Sequence, residues 1–233
     1  ASNVHWPNDR MGLIGLPLPG NTFKMVPNAE KMELRVKGVN VTPGYFRNDV
    51  KTTEAFDEEG FYKLGDAVKF VDPGDPERGL AFDGRTAEEF KLANGTWVSA
   101  GTVRVQAVAA TGGALSDAVV CGLNKNDVRL LGFLNEAWCR RLVGEDLPLD
   151  QLVAHPAIHE KIREGFALHN KAHPNVSARV ARVLLQTYPP LADNGEITEK
   201  GYINQSRTQD LRKDQVDTLF AETGETPANL LIL

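Results

Sequence analysis

The sequence predicts an α+β fold: a barrel-like, β-rich stretch followed by a compact mixed α+β domain. Three observations predict it. Within the first 84 residues FKMV and KMELRVKGV alternate apolar and polar side chains with a period near two, between Gly/Pro-marked turns, and the stretch reads as mostly β. Beyond Arg85 the pattern changes, and stretches with helical spacing are interleaved with short apolar strand-like runs. The length, 233 residues, suits one large domain or two modest ones, and the expected division is 1–85 and 86–233.

The elements follow in chain order. GLIGLPLPG is a Gly/Pro-punctuated entry, and FKMV and KMELRVKGV read as strands. In the second strand Met32, Leu34 and Val36 share one face, and Glu33, Arg35 and Lys37 the other. NDVKTTEAF forms a short helical turn, ended by Asp57-Glu58-Glu59-Gly60, which reads as a solvated acidic turn. From Gly60 to Ser99 two strands flank Pro73-Gly74-Asp75-Pro76, and a connector leads into a tight hairpin that ends in GTWVS. GTVRVQAVAA is predicted helical. DAVVCG and VRLLGFL are strands joined by the NKND turn, and NEAWCRRLVG is a short helix. Leu152, Ile158, Ile162 and Phe166 have helical spacing, with Pro156 breaking or starting the helix. VARVLLQT is a further strand. A polar loop follows Pro189-Pro190, and SRTQDLRKDQVDTLFAE closes the chain as one amphipathic helix.

Composition narrows the function classes. A hydrophobic content of 42% and a charged content of 24% are ordinary for a globular protein. A net charge of −5 with no basic stripe argues against nucleic acid as a partner. No apolar run approaches the roughly 20 residues that span a bilayer, so no membrane partner is expected. The opening ASNVHWPNDRMG has neither a basic stretch nor an apolar core, which makes a cytoplasmic protein the expectation. Cys121 and Cys139 form no CxxC and read as reduced thiols. His155, His159, His169 and His173 lack HExxH order and an acidic third ligand, so they read as helix-surface histidines and no metal site is expected.

Two stretches carry chemistry. Between Gly60 and Ser99, Asp66 follows a glycine at a turn, Arg85 follows Gly84, and Gly95 lies in the hairpin loop. A carboxylate held there can accept two hydroxyl hydrogen bonds, and an arginine can grip an anion or sugar oxygens, which suits a ribose or nucleotide. The same residues also fit two hairpin turns with a surface salt bridge. Further on, PPLADNGEITEKGYINQ is a turn-rich loop from which Lys200 projects. Alone, Lys200 reads as well as a solvated surface lysine.

Gly44-Tyr45, Thr53, Phe56, Gly60, Gly65-Asp66, Gly84-Arg85, Lys91 and Gly95 occur in the order of a known signature. In this the chain resembles the adenylate-forming superfamily of acyl-CoA synthetases, luciferases and peptide-synthetase adenylation domains. GLPLPGNTFKMVPNAEKMELRVKGVNVTPGYF, FKLANGTWVS and GEITEKGYINQ are most similar to feruloyl-CoA synthetases. The resemblance implies the C-terminal part of an ATP-dependent ligase that makes CoA thioesters of hydroxycinnamic acids. It implies that Asp66 binds the ribose hydroxyls of AMP, that Arg85 binds the ribose or phosphate side, and that Lys200 serves adenylation. Lys91 and Gly95 would face the pocket near the pantetheine channel. Ala87 or Glu88 would be the hinge of a mobile C-terminal domain. ATP, CoA and a small carboxylic acid are the implied partners, with magnesium accompanying ATP; a homo-oligomer stays open. The phosphate loop and the aromatic-Gly-x-Thr-Glu segment of the superfamily do not occur in the chain, so it is expected to be a fragment, inactive alone. The alternatives are a synthetase for fatty or benzoic acids, and a stand-alone nucleotide-binding regulatory module.

Overall fold

The computed structural model describes residues 12–28, 31–86, 89–224 and 226–233. The chain forms two compact units, Ala1–Glu88 and Glu89–Leu233. The expected hinge residues, Ala87 and Glu88, lie outside the described residues.

The first unit is a five-stranded antiparallel sheet. Its strands are β1 (Leu13–Gly15), β2 (Asn21–Asn28), β3 (Lys31–Gly38), β4 (Tyr62–Phe70) and β5 (Leu80–Arg85), in the order β1-β5-β4-β3-β2. The described strands form an open sheet with β1 and β2 at its edges, not a closed barrel. The period-two alternation places Leu34, Val68 and Leu80 on one face, where they pack with Ile14, Phe23, Met25 and Val36. The short helix α1 (Asp49–Ala55) begins at Asn48, whose side chain accepts the Lys51 amide.

The opposite face of β3 holds charge instead of hydrocarbon. Glu33 is buried and accepts from Arg35 at 2.8 Å. Asp57 corrects the sequence reading, since it is no solvated turn residue: its side chain is only 8% exposed. One carboxylate oxygen lies 3.0 Å from Lys24 Nζ and 3.1 Å from Arg35 Nη1. The other accepts the amides of Phe61 (2.9 Å) and Glu59 (3.0 Å). The Phe61 amide above all, helped by Lys24 and Arg35, holds this carboxyl well below the usual carboxylate range despite its burial. Glu59 stays exposed and also pairs with Lys24.

The second unit opens with the hairpin β6 (Glu89–Lys91) and β7 (Trp97–Ser99), then α2 (Ala100–Ala110). Its main sheet contains β8 (Leu115–Cys121), β9 (Val128–Leu134), β10 (Val180–Leu185) and β11 (Leu230–Ile232), in the order β11-β10-β9-β8. β9 and β10 run parallel; the outer pairs are antiparallel. Between β9 and β10 come α3 (Glu136–Val143), α4 (Leu149–Leu152) and α5 (Pro156–Ala172). Pro156 therefore starts the helix, in the first turn where a missing N–H costs nothing, and the His155 ring caps it by accepting the Ala157 amide.

Every residue of β9 is buried, because helices cover both faces of the sheet. Ile158, Ile162 and Phe166 of α5 pack with Val103 and Ala107 of α2 against Val120, Leu130 and Val183. The other face carries Val119, Leu131, Phe133 and Leu184 under Leu219. At Gly165 a Cβ would stand 2.1 Å from the Ala110 carbonyl oxygen, so α5 passes the end of α2 with no room for a side chain.

Four sequence expectations are corrected here. The single C-terminal helix is two, α6 (Gln205–Leu211) and α7 (Lys213–Phe220), broken at Arg212 (φ −106°, ψ 35°). The chain ends in a strand, β11, and the entry segment contains β1. His159 and His169 are buried, not on the helix surface: their Nε2 atoms donate to the carbonyls of Val153 (2.7 Å) and Ala178 (3.0 Å). Among the described residues no helix is long and apolar enough to cross a membrane.

Candidate functional site

Signature residues of the first unit make their contacts within and beside α1 and the start of β4. The Tyr45 amide donates to Thr52 Oγ1 (2.9 Å), and the Tyr45 and Tyr62 hydroxyls share a 2.8 Å hydrogen bond. Phe56 meets the Tyr62 ring edge-on at 5.3 Å. Thr53 bonds back to the Asp49 carbonyl. These residues thus brace α1 and the start of β4, the strand that carries Asp66.

Asp66 lies within β4 rather than at a turn. Gly65 before it adopts φ +71°, and the β4–β5 register shifts between Asp66 and Val68. A left-handed residue at a register shift is a bulge geometry that re-aims the neighbouring side chain. Arg85, at the end of β5, is the direct cross-strand partner of Asp66. Arg85 Nε is 3.6 Å from Asp66 Oδ1, an ion-pair separation too long for a hydrogen bond. The Arg85 side chain is 58% exposed and that of Asp66 31%. The arrangement presents a carboxylate acceptor beside a guanidinium donor at the open end of one strand pair, and both can be met by a polyhydroxylated, anionic ligand.

Lys91, Gly95 and Lys200 belong to the second unit. In the β6–β7 hairpin the Gly95 amide closes the turn on the Leu92 carbonyl (2.9 Å), and Lys91 Nζ lies 4.7 Å from the centre of the Trp97 ring. The hairpin is tied to the β8–β9 turn by two backbone bonds, Ala93 amide to Lys125 carbonyl (2.8 Å) and Asn124 amide to Lys91 carbonyl (2.9 Å). Leu92 is buried in the main core, so the loop is rooted although Lys91 and Gly95 are exposed.

Lys200 occupies the tip of a second hairpin. Ile197 and Ile203 bridge at its base, and the Thr198 amide donates to the Tyr202 carbonyl (2.8 Å). The Gly201 amide donates back to Thr198 (2.8 Å), with Gly201 at φ +80°. This three-residue loop with a left-handed glycine is a common tight connection, and it points the exposed Lys200 away from the body of the turn.

Two buried groups that the sequence reading did not single out hold this hairpin. Gln205, just beyond it, accepts the Val120 amide (2.9 Å) and donates to the Ala118 carbonyl (3.0 Å), so its amide pairs with the edge of β8 as a strand would. Glu196, just before it, pairs with Arg212, and both side chains are 1% exposed. Burial alone would raise the Glu196 carboxyl; the Arg212 fork and the Leu191 amide reverse this and hold it below the usual range. An arginine on an amphipathic helix reads as solvent-facing, so nothing in the local pattern marked Arg212. Glu196 and Gln205 did lie within the GEITEKGYINQ stretch.

Among the described residues no three His, Cys, Asp or Glu side chains converge as a metal site. Cys121 and Cys139 are free and buried; burial pushes the first thiol up to about 12 and the second up to about 11.

No protein-family model matches the chain. It is 37% identical over 97 residues to long-chain-fatty-acid–CoA ligase 6 of Rattus norvegicus, a match that covers 38% of this chain and 13% of the relative. It is 27% identical over 193 residues to probable 4-coumarate–CoA ligase 1 of Dictyostelium discoideum, covering 78% of this chain and 33% of that one. The adenylation domain of a carboxylic acid reductase from Segniliparus rugosus, solved with AMP and a co-purified carboxylic acid, superposes on 89% of the chain with a TM-score of 0.68 at 19% identity. These matches make the chain similar, over parts of its length, to CoA ligases of the adenylate-forming kind. The fold agrees with the C-terminal region of such enzymes. The chain spans about an eighth of the length of the first relative and a third of the second. Fatty-acid and coumarate ligases both occur among the relatives, so the similarity alone leaves the acid open.

Proposed function

We propose that the chain is the C-terminal part of an ATP-dependent acid–CoA ligase that activates a hydroxycinnamic, ferulate-like acid as its acyl-adenylate and passes it to CoA. The observation that carries the reading is the cross-strand pair of Asp66 and Arg85, in the signature order, within a chain related to CoA ligases. In the first half-reaction a carboxylate oxygen attacks the α-phosphorus of ATP; the Pα–O bond to pyrophosphate breaks and pyrophosphate leaves. In the second the CoA thiolate attacks the acyl carbon and AMP leaves.

Each residue has a stated part. Asp66 accepts hydrogen bonds from the ribose hydroxyls, and Arg85 contacts the ribose or phosphate oxygens. Lys200 carries a compact positive charge on a long stem, suited to lie between the acyl carboxylate and the α-phosphate as negative charge develops. The Lys91–Gly95 hairpin flanks the pantetheine arm of CoA. Ala87 or Glu88 serves as the pivot between the half-reactions, an assignment made on sequence alone. Magnesium is assigned to ATP as substrate and to no residue of this chain.

A long-chain fatty acid is the second reading, supported by the higher identity to the fatty-acid ligase. The test is acid-dependent ATP–pyrophosphate exchange by the full ligase with ferulate, benzoate and palmitate. Exchange with ferulate, followed by CoA-dependent AMP release, is expected. Exchange with palmitate or benzoate in its place replaces the substrate class. Nucleotide binding with no exchange replaces the ligase by a regulatory module.

A further inference from the structure

The guanidinium of Arg212 is fully used. Nε donates to Glu196 Oε1 (2.5 Å), and Nη2 to Glu196 Oε2 (3.2 Å) and the Pro189 carbonyl (2.9 Å). Nη1 donates to Gln186 Oε1 (2.9 Å) and the Tyr188 carbonyl (3.1 Å). All five N–H donors of an arginine thus have acceptors. The plane is also clasped by rings, with its central carbon 4.0 Å from the Tyr188 centroid and 4.9 Å from that of Phe133.

What this fork grips is the loop between β10 and α6. Gln186, Tyr188 and Pro189 are its first residues, and Glu196 is its turning point. The Glu196 backbone is bound as well: its amide donates to the Leu191 carbonyl (3.1 Å), and its carbonyl accepts the Asn204 amide (2.8 Å). The next pair inward, Ile197 with Ile203, is the base of the hairpin whose tip is Lys200. Arg212 thereby connects the helix break between α6 and α7 to the stem under the lysine.

Burying two charges is costly, and well-packed apolar residues often stabilise a core as much or more. What a guanidinium with five oriented bonds, two of them to Glu196, supplies, and a Leu–Met contact does not, is a directional geometry for the segments it joins. We propose that Arg212 is a positioning residue for adenylation, acting through Glu196 to fix the stem of the Lys200 hairpin. The proposal rests on Lys200 being the adenylation lysine.

The test compares Lys200→Ala, Arg212→Lys and the apolar pair Glu196→Leu/Arg212→Met in the full ligase. Arg212→Lys keeps the charge but has three donors in place of a planar fork. Each variant is assayed for pyrophosphate exchange and, separately, for thioester formation from supplied acyl-adenylate. The expected result is a loss of adenylation of about ten- to a hundredfold in Arg212→Lys and in the apolar pair, as for a misplaced catalytic group. Thioester formation should change by less than about threefold, because Lys200 acts only in the first transition state. Wild-type adenylation in these variants, with Lys200→Ala crippled, overturns the positioning role. So does an equal loss in both half-reactions, which marks a general folding defect.

If Lys200→Ala adenylates normally, the assignment of Lys200 fails, and the geometry is tested on its own by a lysine-specific protease. Cleavage after Lys200 in the native protein should be about tenfold faster in Arg212→Lys than in wild type, without a matching rise at other lysines. An unchanged rate overturns the claim that Arg212 fixes the hairpin.

Discussion

Asp66 and Arg85 face each other across β4 and β5, with Arg85 Nε 3.6 Å from the Asp66 carboxylate. The two lie 19 residues apart in sequence but on neighbouring strands, so one backbone ladder sets their separation. The ladder is a rigid base for the proposed nucleotide contacts.

Asp66→Ala in the full ligase should weaken nucleotide binding and both half-reactions. A hydrogen bond to a charged group contributes about 1.5–3 kcal/mol, so losing two costs about a hundredfold or more. Calorimetry with AMP reads it directly; unchanged affinity removes Asp66 from the site.

Asp57 makes the first unit sensitive to acid. Its carboxyl is held below the ordinary range in the native state, so the unfolded chain takes up a proton first. The stabilisation is present above the ordinary aspartate value of about 4 and is lost as pH falls toward the depressed native value. Asp57→Asn should lower the thermal midpoint at neutral pH and reduce the further loss between about pH 4 and pH 2. Unfolding followed across that range in both proteins tests it, and parallel curves would remove Asp57 as the acid-sensitive anchor.

Gly165→Ala should destabilise the second unit. A methyl group there meets the Ala110 carbonyl oxygen at 2.1 Å, and α5 must shift to admit it. Overpacking of this kind costs about 1–3 kcal/mol, read as a lowered midpoint in denaturant. A midpoint equal to wild type would mean that α5 moves freely against α2.

The two thiols should be silent in the native protein. With Cys121 pushed up to about 12 and Cys139 up to about 11, thiolate is scarce at pH 8, and both sulfurs are buried. A thiol-reactive disulfide reagent should label them only as fast as the protein unfolds. Rapid labelling without denaturant would contradict the packing around β8 and α3.

The sequence by itself determined what is local. Period-two alternation marked β2 and β3, apolar runs marked β8, β9 and β10, and helical spacing with Pro156 marked α5. The ordered signature from Gly44 to Gly95 and the Lys200 loop are contiguous patterns, legible without partners. The tertiary structure decided the rest. Asp57 and its neighbours read as a solvated turn because the charges that bury Asp57, on Lys24 and Arg35, are 33 and 22 residues away. The last helix read as continuous because local spacing does not mark its break at Arg212, whose guanidinium reaches Glu196, 16 residues back. β11 is three residues long, too short for a period to show, and exists because β10 offers it an open edge. Patterning reports the face a residue presents. Whether a charge can be buried there depends on partners that only the folded chain brings within hydrogen-bond distance.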